Sequence, residues 1–222
     1  MYQEQFLRKL KWVLIFLCMI LLIGKHLKRN MKFWVYLIGG VMSLIVGYLL
    51  FIINQQPTLP SFQDGSILSP SSGYIGRIRH HSNGRVSIMF NLSFMSNHVQ
   101  YIPYPGEIIS DKYHPSRYGR PHRMFTLHPT LFPNFEESIR DNEQYRTILK
   151  TYKGNIHITR IAGLVAPRVY SYINEADKVK PGDVMGLILF SSMVLLDLPE
   201  MTTLRIKEGD TVTAGETIIG TL

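Results

Sequence analysis

The chain has 222 residues, of which 45% are hydrophobic and 18% charged. Its apolar and aromatic content excludes a disordered chain, and its charge content is low for a wholly soluble one. The net charge of +8 is unevenly spread: residues 1–53 carry seven Lys/Arg and one acid, and residues 54–222 carry 17 against 15. That distribution argues against nucleic acid as the partner and for basic flanks beside membrane segments.

Two apolar runs open the chain. Trp12 to Gly24 is short, and extends to a helix over 10–27 if its flanking lysines snorkel. Phe33 to Ile53 holds 21 positions without a charge, enough to cross a hydrocarbon core of about 30 Å. One or two transmembrane helices are expected, with 33–53 the second. The basic stretch Lys25 to Lys32 sets the cytoplasmic side, so the C-terminal domain faces the non-cytoplasmic side. Gly39, Ser43 and Gly47 share a helix face and could serve a helix–helix contact, which leaves a homo-oligomer open. Cys18 is the single cysteine, so an intramolecular disulfide and a CxxC site are both excluded.

Residues 54–72 read as a linker containing Pro57, Pro60 and Pro70. Residues 73–222 read as one mainly β (α+β) domain. Arg85 to Phe90 and Asn155 to Thr159 alternate as strands do. A loop is expected over Asp111 to Asn134, and a short helix over Phe135 to Ile148 with Asn134 as its cap. Glu175, Asp177, Val179 and Gly182 recur 33 residues later as Glu208, Asp210, Val212 and Gly215. The repeat predicts two related β-hairpin units packed as a sandwich. The histidines His80, His81, His114, His122 and His128 match no zinc spacing, and no metal is expected.

From Gly186 to Pro199, Ser191 and Ser192 interrupt an apolar strand. Buried hydroxyls need partners or a purpose. Composition alone favours hydrogen bonds to nearby backbone.

Several blocks, in order, resemble the phosphatidylserine decarboxylase family over about residues 66 to 222. They are Leu92-Ser93-Phe94-Met95-Ser96-Asn97-His98, Asn142-Glu143, Ile161-Ala162-Gly163-Leu164-Val165-Ala166-Pro167-Arg168, Gly182-Asp183-Val184-Met185-Gly186 leading to Ser191-Ser192, and Gly209-Asp210-Thr211-Val212-Thr213-Ala214-Gly215-Glu216-Thr217.

The resemblance implies a self-cleaving enzyme that converts phosphatidylserine to phosphatidylethanolamine and carbon dioxide. Cleavage between Ser191 and Ser192 would leave a pyruvoyl group derived from Ser192 on a 31-residue chain, with no metal. Its carbonyl takes the substrate amine and draws electrons as carbon dioxide leaves. His98 aligns with the active-site histidine and would supply or position a proton. Ser72, Tyr101, Asn142, Glu143 and Arg168 are candidate processing or substrate residues.

Four positions depart from the family pattern. Ser191 stands where the family has glycine, Ser72 and Ser96 where it has aspartate, and Tyr101 where many members have a second histidine. They support a second reading, an uncleaved relative that binds lipid or serves structure. Under either reading the expected partners are the phospholipid membrane and phosphatidylserine, not nucleic acid.

Overall fold

The computed structural model describes residues 11, 15, 18, 19, 22, 29–53, 58, 65–92, 96–117, 139–163, 168–188 and 192–222. Two compact units result, Met1–Gln55 and Gln56–Leu222. In the first, helix α1 spans Arg29–Ile53 and contains Met31–Tyr48, long and apolar enough to cross a membrane. Ser43 Oγ donates to Gly39 O at 2.8 Å, one turn back along the helix. Of the earlier apolar run only Lys11, Ile15, Cys18, Met19 and Leu22 are described, all helical; the bounds expected at 10 and 27 lie outside the described residues.

The second unit is built of 14 described strands. They are β1 (Ser66–Leu68), β2 (Gly73–His80), β3 (Val86–Asn91), β4 (Val99–Tyr101), β5 (Gly106–His114), β6 (Gln144–Thr151) and β7 (Gly154–Ile161). There follow β8 (Val169–Ser171), β9 (Lys178–Val179), β10 (Val184–Ile188), β11 (Met193–Leu198), β12 (Thr203–Leu204), β13 (Thr211–Val212) and β14 (Ile218–Thr221). One eight-stranded sheet has the order β13-β2-β3-β11-β7-β6-β5-β9, and two three-stranded sheets have the orders β1-β14-β12 and β4-β10-β8. Ile67, Ile88, Phe90, Ile108, Ile158 and Leu196 are fully buried in one core that draws on all three sheets.

The 33-residue repeat is a structural one, and it reaches further than the sequence suggested. Ile75 N donates to Asp210 O at 2.9 Å, and Ile108 N to Asp177 O at 2.9 Å. Gly215 N donates to Ser69 O at 2.8 Å, and Gly182 N to Ile102 O at 2.9 Å. Gly182 and Gly215 both lie at positive φ, 85° and 72°, where a side chain would be strained. The eight-stranded sheet is accordingly symmetric in its order, with β11 and β7 paired at its centre.

Four expectations need correction. The repeat units are not hairpins: β9 pairs with β5 and β13 with β2, while β10 and β14 enter the two small sheets. Each unit is thus a corner that passes the chain between sheets, built from the same turn residues as a hairpin. Gln144 to Ile148 lies in β6, and only residues 139–141 are helical in the described part of 135–148; Asn134 lies outside it. Pairing along both edges of β6 overrides the helical pattern. Asp111 to His114 belongs to β5 rather than to a loop. The end of the expected linker folds as β1 and a buried turn, with Ser66 opposite Thr221.

One side chain joins the large sheet to a small one. Arg160 on β7 is wholly buried, and its Nη2 lies 3.0 Å from Asp111 Oδ1. Its Nη1 donates to the carbonyls of Tyr170 and Met185, both at 3.2 Å. A Cβ at Gly186 would run into Arg160 Nη1 and the Tyr170 carbonyl, so the guanidinium requires glycine there. Asp111→Ala, which strands a buried cation, should cost about 3–5 kcal/mol in a denaturant titration, and Arg160→Met combined with it should recover much of that loss.

Candidate active site

The apolar run containing both serines is two strands, not one. β10 ends at Ile188 and β11 starts at Met193, in different sheets. Residues 189–191, Ser191 among them, lie outside the described residues. Ser192 is the first residue after that crossover. It is buried, and its Oγ has no hydrogen-bond partner among the described residues. The expected backbone partner for this hydroxyl is therefore not seen.

Two backbone bonds bracket the crossover. Ile188 N donates to His98 O at 3.1 Å, and Leu92 N donates to Ser192 O at 3.0 Å. Leu92 and His98 are thereby tied to the residues on either side of 189–191. The His98 carbonyl also accepts from Gln100 Nε2 at 2.6 Å. His98 is fully buried, and burial lowers its pKa to about 4 against a smaller opposing effect of a bond to the Ser96 backbone. The imidazole is neutral at physiological pH, so one ring nitrogen is an acceptor.

Ser72 and Tyr101 lie on a second set of contacts. Ser72 Oγ accepts from Ala214 N at 2.9 Å, and Tyr101 N donates to Pro70 O at 3.0 Å. Burial pushes the Tyr101 phenol up, a side-chain bond to Asn97 opposes this, and the Glu216 carboxylate pushes it up further. Tyr101 is therefore a proton donor here and not a base. Glu216 and Asn97 are polar neighbours that the sequence reading left unassigned; the only signal was their place inside the quoted blocks. His81 lies beyond the far end of β2, about 23 Å from its start near Ser72, and bonds Ser87 Oγ at 2.5 Å. Glu107 and His80 are exposed.

Asn142 and Glu143 act on backbone. Asn142 Nδ2 donates to Ala162 O at 2.9 Å, Ala162 N donates to Glu143 O at 2.9 Å, and Glu143 Oε1 accepts from Val169 N at 2.9 Å. The pair clamps both ends of the segment 162–169. Val169 is opposite Ile188, so the clamp continues through β8 and β10 to the His98 segment. Arg168 is exposed at the end of the clamp, and Glu143 and Arg168 both act electrostatically on Tyr113. Among the described residues no cluster of His, Cys, Asp and Glu could hold a metal ion.

Two measurements follow from these environments. Glu143→Ala should destabilise the domain by about 1–3 kcal/mol and Glu143→Gln by less, because the amide oxygen still accepts from Val169 N. His98 is neutral when folded down to about pH 4, whereas the unfolded group charges near 6.5. The folded state therefore keeps its full stability above about pH 6.5 and loses on the order of 3 kcal/mol as pH falls to 4. Denaturation of His98→Gln across that range should show a correspondingly flatter pH dependence.

Residues 57–220 match the profile of the phosphatidylserine decarboxylase family. A phosphatidylserine decarboxylase proenzyme of Streptomyces griseus is 28% identical over 84% of this chain and 79% of its own length. One from Syntrophus aciditrophicus is 31% identical over 70% of each. A Methanothermobacter thermautotrophicus relative, 26% identical over 84% of this chain and 86% of its own, carries the provisional name archaetidylserine decarboxylase proenzyme. No solved structure matches the chain. The match spans both small sheets and the whole of the large one, so the chain belongs to the phosphatidylserine decarboxylase family, a family of carboxy-lyases.

Proposed function

We propose that this protein is a membrane-anchored decarboxylase of a serine phospholipid, phosphatidylserine in the first instance, that makes its own pyruvoyl group from Ser192. The supporting observation is the buried Ser192 hydroxyl at the crossover between two sheets, with no hydrogen-bond partner among the described residues. A buried hydroxyl with no partner among the described residues calls for an explanation, and a role in chemistry supplies one. The names of the relatives share a serine headgroup and the word proenzyme.

The residues fit such a group. Ser192 would bear it, held in place by the Leu92 bond and by Met193, which is opposite Asn91 on one side and Ile161 on the other. Once formed, the group supplies an electrophilic carbonyl that binds the substrate amine and accepts the electron pair released with carbon dioxide. During processing, Ser192 Oγ attacks the carbonyl of Ser191, forming an ester as the peptide bond breaks; loss of the Ser192 Cα proton then expels the Ser191 carboxylate and splits the chain, and the dehydroalanine left behind takes up water and releases ammonia to give the pyruvoyl group. The neutral His98 imidazole takes the hydroxyl proton; charged in so buried a place it is a strong acid and gives the proton back readily. Tyr101 donates a hydrogen bond rather than accepting a proton. Asn142 and Glu143 hold β8, and through it β10, so that the crossover has a fixed origin.

The apolar stretch Met31–Tyr48 would span the bilayer in which the substrate resides, raising the effective substrate concentration. The basic residues before it would favour the non-cytoplasmic face for the domain.

A second reading, an uncleaved relative, draws on Ser72. Its hydroxyl, at the family's aspartate position, serves the Ala214 amide, and the neighbouring phenol is no base. Intact mass of the full chain under denaturing conditions separates the two. Processing predicts a 31-residue fragment with a blocked N-terminus, absent from Ser192→Ala. A single 25.6 kDa species from native membranes would sink the enzyme reading.

A further inference from the structure

The eight-stranded sheet has a second face, turned away from the core. Strand register lines up Arg79, Ser87, Asp197, His157 and Ile148 across it in one row. The next row is Arg77, Met89, Leu195, Thr159, Arg146 and Lys112. Two contiguous hollows lie along these rows and share Ile139, Leu195 and Asp197. Their shared floor is apolar: Leu195 and Ile139 line both hollows and pack against Met89 and the buried Ile161 and Met193. Their two sides are cationic: Arg77 and Arg79 are exposed on β2, and Lys112 and Arg146 on β5 and β6.

The charge on this face does not follow from composition. The chain beyond residue 53 is nearly balanced, 17 Lys/Arg against 15 acids. Yet among the described residues the two hollows hold four permanent cations and a single carboxylate, Asp197. That carboxylate is engaged by the Ser87 hydroxyl, which it accepts. Ser87 in turn receives His81 Nε2 at 2.5 Å. The serine stands between histidine and aspartate, so the three cannot work as a nucleophile activated by its base; they hold one side of the hollow in place.

We propose that this face docks the domain onto a bilayer surface rich in anionic phospholipid. Cations on both sides of an apolar strip suit headgroup phosphates with acyl chains at their base. Arg77, Arg79 and Arg146 can each take a phosphate with two N–H groups. Nucleic acid fits less well, since among the described residues no Phe, Tyr or Trp lines either hollow to stack a base. A second copy of the chain would set like charges together. The proposal rests on the membrane-resident substrate inferred above, but Ser192 is not among the residues that line either hollow. It gives the tethered domain a preferred orientation on the lipid it works on.

The test uses the full chain with Cys18→Ser and Thr159→Cys, carrying a polarity-sensitive fluorophore at 159. Thr159 sits between Leu195 and Arg146 on the floor of the face. The chain is placed in nanodiscs of phosphatidylcholine, with or without phosphatidylglycerol, which has no amine to react. Emission should rise and shift to the blue only with phosphatidylglycerol. Each cation removed should weaken docking about fivefold, so Arg77→Gln/Arg79→Gln and Lys112→Gln/Arg146→Gln should each lower the docked-to-undocked ratio about 25-fold. The two pairs lie on opposite sides, so one remains informative if the other fails to fold. Equal emission in both discs, or a response unchanged in both pair variants, would overturn the proposal. So would the same rise in pure phosphatidylcholine on adding inorganic phosphate or short RNA, which would assign the face to a soluble anion or to nucleic acid. Ser192→Ala should dock as the parent does, so failure of self-processing and failure of docking are read separately.

Discussion

A buried cation sets the terms for this fold. Arg160 has no exposed surface, and burial pulls its pKa down while Asp111 pulls it back up. The guanidinium is tolerable there only with its partners in place. Asp111, Thr147 and Ser171 surround one nitrogen, and two strand carbonyls take the other. Asp111 also accepts from Ser171 Oγ at 2.5 Å and Thr147 Oγ1 at 2.6 Å, so both carboxylate oxygens are engaged. These groups come from β5, β6, β7, β8 and β10. Satisfying one charge therefore fixes how the β4-β10-β8 sheet lies on the large one, and β10 leads directly to the crossover before Ser192.

The repeat shows how much of this was legible. A 33-residue period in Gly and Asp positions marks real turns, and the alternating runs at 85–90 and 155–159 are strands β3 and β7. The partners of those strands were not legible. A corner and a hairpin use the same turn residues, and only tertiary pairing decides between them. The same holds for Gln144 to Ile148, where two neighbouring strands overrule a local helical pattern. Arg160 gave no signal, because an arginine in an alternating strand reads as solvent-facing until the sheet opposite is known.

Within the site, block order pointed to Ser192 and His98, but it could not say what Asn142 and Glu143 do. Their targets are backbone groups of Ala162 and Val169, which leave no trace in side-chain identity. The Tyr101 phenol stands where many members have a second histidine, and its burial makes it a donor, an effect that depends on packing. Gly186, quoted as part of a motif, proves to be space for Arg160.

The place of β11 bears on what a cut before Ser192 would mean. This strand lies between β3 and β7, with six residue pairs on one side and five on the other. Further on, β13 edges the large sheet and β14 is the middle strand of its small one. The two products would remain interlaced as a noncovalent heterodimer, sharing one core and dissociating only when the whole domain unfolds. Scission would free two chain ends locally and leave the sheets intact. A native separation would see one particle where a denaturing one sees two polypeptides.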